Sequence, residues 1–170
     1  MAILPIRLYG DPVLRTRASE VDEVDRRARR LMNNMADTMR EAPGIGLAAP
    51  QVGVLRRIIV WENGEDQGAL ANPVILEREG QSEAEEGCLS MPGINYPVVR
   101  SKIILVEGVD EAGEKVQFET DDLTARIIQH EIDHLNGVLF IDHLPPDLRK
   151  EAIAALRDLS ESWAVQEAAQ

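Results

Sequence analysis

The sequence predicts a single α+β domain: antiparallel β-sheets around a central helix, with one further helix towards each end of the chain. Three observations predict it. Apolar residues recur at helical spacing in three separated segments. Short β-branched runs broken by Gly, Asn and Asp follow one another with no helix between them, the pattern of antiparallel sheet. A chain of 170 residues with 44% hydrophobic content closes one substantial core rather than two, and no repeat, low-complexity tract or long linker divides residues 1–170.

From about Asp25 to Arg40, the residues Val24, Ala28, Leu31, Met35 and Met39 form the stripe of an amphipathic helix. Ser19 or Asp22 is expected to cap its start, and "APG" at 42–44 to stop it. The run "GIGLAAPQ" (44–51) sets two glycines and a proline in an apolar stretch and reads as a buried turn that something approaches closely. Strands are expected at "RIIVWE" (57–62), "PVILERE" (73–79), "KIILVEGV" (102–109) and "KVQFET" (115–120). After the capping region "TDD" (120–122), Leu123, Ile127, His130, Glu131 and His134 fall at offsets 0, 4, 7, 8 and 11 on one helix face, and Gly137 ends that helix. Beyond Pro145 and Pro146, a terminal helix carries Leu148, Ala152, Leu156, Leu159 and Trp163 on one stripe.

The formal net charge of −12, from 18 basic and 30 acidic residues, argues against general affinity for nucleic acid or an anionic membrane, both of which need a positive field. Pro5 and Arg7 interrupt the apolar start, and no later stretch reaches membrane-span length, so a soluble intracellular protein is expected. The single cysteine, Cys88, cannot form an internal disulfide, which leaves its thiol for packing or for chemistry.

Chemistry concentrates in "IIQHEIDHLNG" (127–137). Residues four apart share a helix face, so His130 and His134 can aim ring nitrogens at one ion. Glu131 is turned by about 100° from His130, where a carboxylate can take a proton from water without binding the ion. The alternative is two structural histidines beside an unrelated glutamate. A zinc-type site takes a third protein ligand. Downstream, Asp142, His143 and Glu151 are available, with His143 reading as structural or solvent-facing. Upstream, Cys88 in "EEGCLSMPG" (85–93) is either a small buried hydrophobe or, on irregular backbone beside Gly87, a thiolate able to reach an ion.

With "GIGLAAPQ" (44–51), "EGCLS" (86–90) and "QHEIDH" (129–134) in this order, and an opening "YGDPVLR" (9–15), the chain resembles the peptide deformylase family from about residue 3 to residue 145. The resemblance implies a metal-dependent hydrolase that removes the formyl group from the N-terminal formylmethionine of newly synthesised polypeptides and releases formate. It implies Cys88, His130 and His134 as ligands of one divalent ion, Fe²⁺ in many members, with Zn²⁺, Ni²⁺ or Co²⁺ also compatible with such a set. Glu131 would be base and then acid, and the Gln51 amide and the Leu89 backbone N–H would hold the oxyanion. Gly46 would let an extended peptide pass beside it as a strand. Ile45, Leu123 and Ile127 would line a methionine slot, although core packing also explains apolar residues there. The implied partners are N-formylmethionyl nascent peptides in the bacterial cytoplasm. Asn95 and Tyr96 stand where the family varies at the mouth of the cleft. From Pro145 on, Asp147, Glu151, Asp158, Glu161 and Glu167 outweigh Arg149, Lys150 and Arg157, so charge gives no support to a basic tail docking on ribosomal RNA. Two other classes stay open: a metallopeptidase that would not use Cys88, and a non-catalytic metal- or peptide-binding relative.

Overall fold

Element order in the computed structural model, which describes residues 2–169, is helix, seven strands interrupted by turns, then two helices. Helix α1 (Arg26–Glu41) buries Ala28, Met32, Met35, Thr38 and Met39. Its cap is Asp25, not Ser19 or Asp22: extended backbone at Asp25 brings the carboxylate to the Ala28 N–H at 2.8 Å. Ser19 is engaged elsewhere, its N–H and C=O bonded to Leu55 O and Arg57 N.

Strands β1 (Gly46–Ala48), β2 (Ile58–Glu62), β3 (Gln67–Glu79), β6 (Ile103–Val109) and β7 (Lys115–Asp121) form one antiparallel five-stranded sheet in the order β1-β2-β3-β6-β7. Strands β4 (Ser82–Glu86) and β5 (Tyr96–Arg100) form a separate antiparallel pair. The α+β class and the four expected strands are found, with three differences. The glycine-rich run is not wholly a turn, because Gly46, Leu47 and Ala48 pair with Trp61, Val60 and Ile59 before a 3-10 turn at Ala49–Val52. Strand β3 starts at Gln67 rather than Pro73. Its first half, "QGALAN", has low strand propensity but is held by pairing with β2, and Gly68 leaves room for the Trp61 ring, which a Cβ would meet at 2.4 Å. The β4–β5 pair was not anticipated, since "SEAEE" resembles no isolated strand and only its partner makes it one.

The large sheet lies between α1 and α2 (Asp122–Leu135). One face, with Leu47, Ile58, Val60 and Ala71, packs on the α1 methionines, and the other, with Ile59, Trp61, Leu70, Ile104 and Val106, packs on Ala125, Ile128, Ile132 and Leu135 of α2. Every residue from Thr124 to Ile132 is buried. A helix so enclosed must carry its polar side chains to partners inside the molecule. It ends at Gly137 with φ +73°, where a side chain would also strike the Arg15 carbonyl at 2.8 Å. Helix α3 (Pro146–Ala168) buries Ala152 and Leu156 against Leu14, Met91, Ile94, Val98, Phe140 and Ile141. Among the described residues, no helix is long and apolar enough to cross a membrane.

Candidate active site

Helix α2 presents Leu123, Arg126, Ile127, His130 and Glu131 to a cavity of about 440 Å³. Its other walls are the Gly44–Gly46 backbone at the outer edge of the large sheet and the loop that joins β4 to β5. That loop carries Cys88 to the end of α2. The ligand atoms of Cys88, His130 and His134 lie within 4.8 Å of one another. His134 Nε2 stands 3.3 Å from Cys88 Sγ and 3.3 Å from His130 Nε2. Tetrahedral bonds of about 2.0–2.3 Å to N and S set ligand atoms about 3.3–3.6 Å apart, so the three residues fit one such ion. The downstream alternatives lie outside this group: Asp142 is bonded to Arg15, Glu151 is exposed on α3, and His143 is bonded to Asp133 at 2.7 Å.

His130 Nδ1 is 2.9 Å from Glu86 Oε1, an arrangement that leaves Nε2 free to ligate. Each oxygen of Glu86 has a second partner. Arg100 donates from Nε to Oε2 and from Nη2 to Oε1, both at 2.9 Å, and Arg126 donates from Nη1 to Oε2 at 2.6 Å. Burial opposes ionisation of Glu86, but the hydrogen bonds from Arg100 and His130 outweigh it and hold the carboxyl well below the ordinary range. The Arg100 fork continues to Asp133 Oδ2 at 2.6 Å, which also meets His143. Burial opposes a charge on His130, yet bonds to Cys88 and Glu86 raise it well above the usual histidine value, while burial and the His130 charge hold His134 well below it.

Glu131 is buried, its Oε2 has no partner, and burial pushes its carboxyl up to about 7. His134 Nδ1 is the other buried polar side-chain atom without a partner among the described residues. A Cβ on Gly46 would stand 2.6 Å from Glu131 Oε1 and 2.7 Å from Ile127 Cγ2, so the absence of a side chain there opens the cavity beside the carboxylate. Gln51 accepts from the Ala48 N–H at 2.9 Å, which turns its Nε2 towards Ser90 Oγ at 3.2 Å and Cys88 Sγ at 3.6 Å. Leu89 also lines the cavity.

The three apolar candidates separate. Ile45 and Leu123 are 47% and 48% exposed at the cavity, which core packing does not explain, whereas Ile127 lines the cavity and also belongs to the core between α2 and the sheet. Asn95 lines the cavity and Tyr96 begins β5 outside its walls. Sequence reasoning gave no role to Glu86, Arg100 or Arg126. Glu86 stands inside "EGCLS" and Arg126 four residues before His130, so two of the three carried a positional signal; Arg100 carried none.

The model of the polypeptide deformylase family matches residues 3–150. Peptide deformylase from Acidothermus cellulolyticus is 49% identical over 166 residues, 98% of this chain and 91% of that protein. The Halothermothrix orenii enzyme is 51% identical over 144 residues, 84% of this chain and 94% of its own length. Among solved structures, the Legionella pneumophila peptide deformylase superposes with a TM-score of 0.89 at 40% identity, covering 96% of this chain and 98% of that one. The Ehrlichia chaffeensis enzyme in complex with actinonin superposes with a TM-score of 0.88 at 35% identity, covering 93% and 98%. The chain belongs to the polypeptide deformylase family, metal-dependent hydrolases that remove the formyl group from N-formylmethionyl polypeptides.

Proposed function

We propose that residues 1–170 form one catalytic domain, in which Cys88, His130 and His134 hold a single divalent ion and Glu131 carries the proton of formyl-group hydrolysis. The observation that carries this reading is the convergence of three ligand atoms beside a buried carboxylate oxygen that has no protein partner. One thiolate and two imidazoles accept Fe²⁺, Zn²⁺, Ni²⁺ or Co²⁺. We assign Fe²⁺, as the sequence resemblance implies. When bound, the ion supplies a Lewis acid for the formyl carbonyl and for the attacking water.

The side chains do the rest. Glu131 takes the proton as water oxygen bonds to the formyl carbon, then delivers it to the amine nitrogen as the C–N bond breaks, leaving formate and a free N-terminus. Burial raises its proton affinity, which suits a group that must hold a proton between two steps. The Gln51 amide, oriented by Ala48, and the Leu89 N–H donate to the oxyanion. Gly46 lets the peptide run along the free edge of β1. Ile45, Leu123 and Ile127 receive the methionine side chain. The protein works in the bacterial cytoplasm on nascent chains. The acidic balance of α3 argues for meeting them without a basic contact to ribosomal RNA.

Release of formate from formyl-Met-Ala-Ser, assayed without oxygen because Fe²⁺ and thiolate both oxidise, tests the activity, with metal analysis on the same sample. Glu131→Ala is expected to keep its metal and lose about 10²–10⁴-fold in turnover. Near-normal turnover would remove Glu131 from the mechanism. Unchanged metal content and activity in Cys88→Ser would remove the thiolate from the ligand set.

A further inference from the structure

Five side chains of α2 face the cavity, at offsets 0, 3, 4, 7 and 8 from Leu123, and four of them have a role above. The fifth, Arg126, does not. It is a cation set between Leu123 and His130, with only 8% of its side chain exposed. Three acceptors fix the guanidinium: Nη1 donates to Glu86 Oε2 at 2.6 Å and to the Val98 carbonyl at 2.8 Å, and Nη2 donates to the Ser82 carbonyl at 2.7 Å. A guanidinium carries five N–H bonds. Nε has no acceptor among the described residues, yet it is not among the fully buried atoms that lack a partner, which are Glu131 Oε2 and His134 Nδ1. Its N–H therefore keeps accessible surface, and Arg126 is one of the residues that border the cavity. The same space is bordered by the apolar side chains Ile45, Met91, Ile94, Leu123 and Ile127. A rigidly held donor thus stands beside the apolar part of a cavity whose lining also includes Gln51, Glu85, Glu86 and Asn95.

A slot meant for a hydrocarbon chain gains nothing from an N–H in its wall. Methionine's thioether sulfur is a weak acceptor, and its sulfoxide oxygen is a strong one. A sulfoxide entering a wholly apolar slot would forfeit its hydrogen bonds to water, whereas one that meets a fixed donor exchanges one partner for another. We infer that Arg126 is a specificity-determining residue that offers a hydrogen bond to the sulfur end of the substrate's first side chain, and that the enzyme therefore also deformylates peptides beginning with formyl-methionine sulfoxide. The inference rests on the reading that this cavity receives the formylmethionine side chain. The reaction is unchanged: the formyl amide is hydrolysed and the sulfoxide is carried through unreduced. Because Glu86 and two carbonyls hold the guanidinium in place, the donor needs no reorganisation when the side chain arrives.

The test compares kcat/KM for formyl-Met-Ala-Ser, its sulfoxide and the isosteric formyl-norleucyl peptide, which lacks the acceptor. The wild-type metal-loaded enzyme is expected to process the sulfoxide within about tenfold of the methionine peptide. Arg126→Met keeps an apolar side chain of similar length and removes the donors. It should lower the sulfoxide-to-norleucine ratio by at least about tenfold, and Arg126→Lys should recover part of that loss. The ratio matters because damage to Glu86, His130 or the metal affects both peptides alike. An equal loss on all three peptides in Arg126→Met overturns the inference. So does wild-type discrimination against the sulfoxide of about a hundredfold or more, which decides the matter even if the variants do not fold. Lack of turnover of all three peptides by the wild type would instead overturn the hydrolase reading itself.

Discussion

Two buried polar clusters meet at His130 and are finished to different degrees. In the support cluster, each oxygen of Glu86 has two partners, and Arg100 ties it on to Asp133 and His143. On the cavity side, Glu131 Oε2 is buried without a partner among the described residues. Each unmet polar atom costs about 1–3 kcal/mol in a folded protein, so such atoms persist where something other than stability requires them. Completeness marks the part that holds, and incompleteness marks the part that reacts.

Breaking the complete cluster should have the largest effect. Glu86→Ala leaves the buried Arg100 and Arg126 guanidinium groups facing each other and should destabilise the fold by about 3–5 kcal/mol. It also frees His130 Nδ1, and metal affinity should fall about 10–100-fold. Chemical denaturation and a chelator competition read the two losses, and a variant that retained both would show that the cluster supports nothing. Gly46→Ala comes next. Gly46 sits in extended backbone, so its requirement is space rather than a positive φ, and the added methyl would displace Glu131 Oε1 and Ile127 Cγ2. Overpacking of about 1–3 kcal/mol is expected in thermal unfolding, with a raised KM as the peptide's path narrows. Glu131→Gln inverts the first result. Replacing an under-partnered buried carboxylate by a neutral amide should leave stability within about 1 kcal/mol of wild type, or raise it, while turnover collapses. A loss as large as that of Glu86→Ala would erase the distinction between the clusters.

The same contrast explains what the sequence disclosed. His130, Glu131 and His134 stood out because one helix sets their spacing, whereas Cys88 was left between a buried hydrophobe and a ligand until the resemblance of its motif implied the second. Arg100 was silent, since its role depends on a strand pair that is itself unreadable in "SEAEE" and forms only when β5 lies beside it. The first half of β3 was silent for the same reason: the pairing with β2, together with the room Gly68 leaves for Trp61, outweighs the weak propensity of its small residues. The cap of α1 was placed too early, at Ser19 or Asp22, since several acidic and hydroxyl residues precede the helix and only the extended backbone at Asp25 selects one. Local periodicity reports what a residue does within its element, and the support of the site comes from contacts between elements.

The smallest effect belongs to a carboxylate–guanidinium cluster of the same chemistry placed near solvent. Asp142 accepts from Arg15 at 2.6 and 3.2 Å, from Arg149 at 3.3 Å and from the Leu139 N–H at 3.0 Å, with 21% of its side chain and 43% of the Arg15 side chain exposed. Burial works against its charge, but the Arg15 hydrogen bonds prevail and lower its carboxyl below the ordinary value. A carboxyl lowered on folding binds fewer protons folded than unfolded, so its stabilisation is complete above the unfolded value of about 4 and is lost as pH falls through the lower folded one. Asp142→Asn keeps an acceptor for Leu139 and removes only the charge. Allowing for solvent screening, it should be less stable by about 0.5–1 kcal/mol at pH 7, and the difference should shrink as pH falls below the unfolded value of about 4, and also in about 1 M salt. The Glu86 cluster, whose carboxylate and two guanidinium groups are each at most 8% exposed, should keep its larger effect in that same salt. A salt-insensitive Asp142 difference, measured by denaturant midpoints, would mean that burial is not what separates the two clusters.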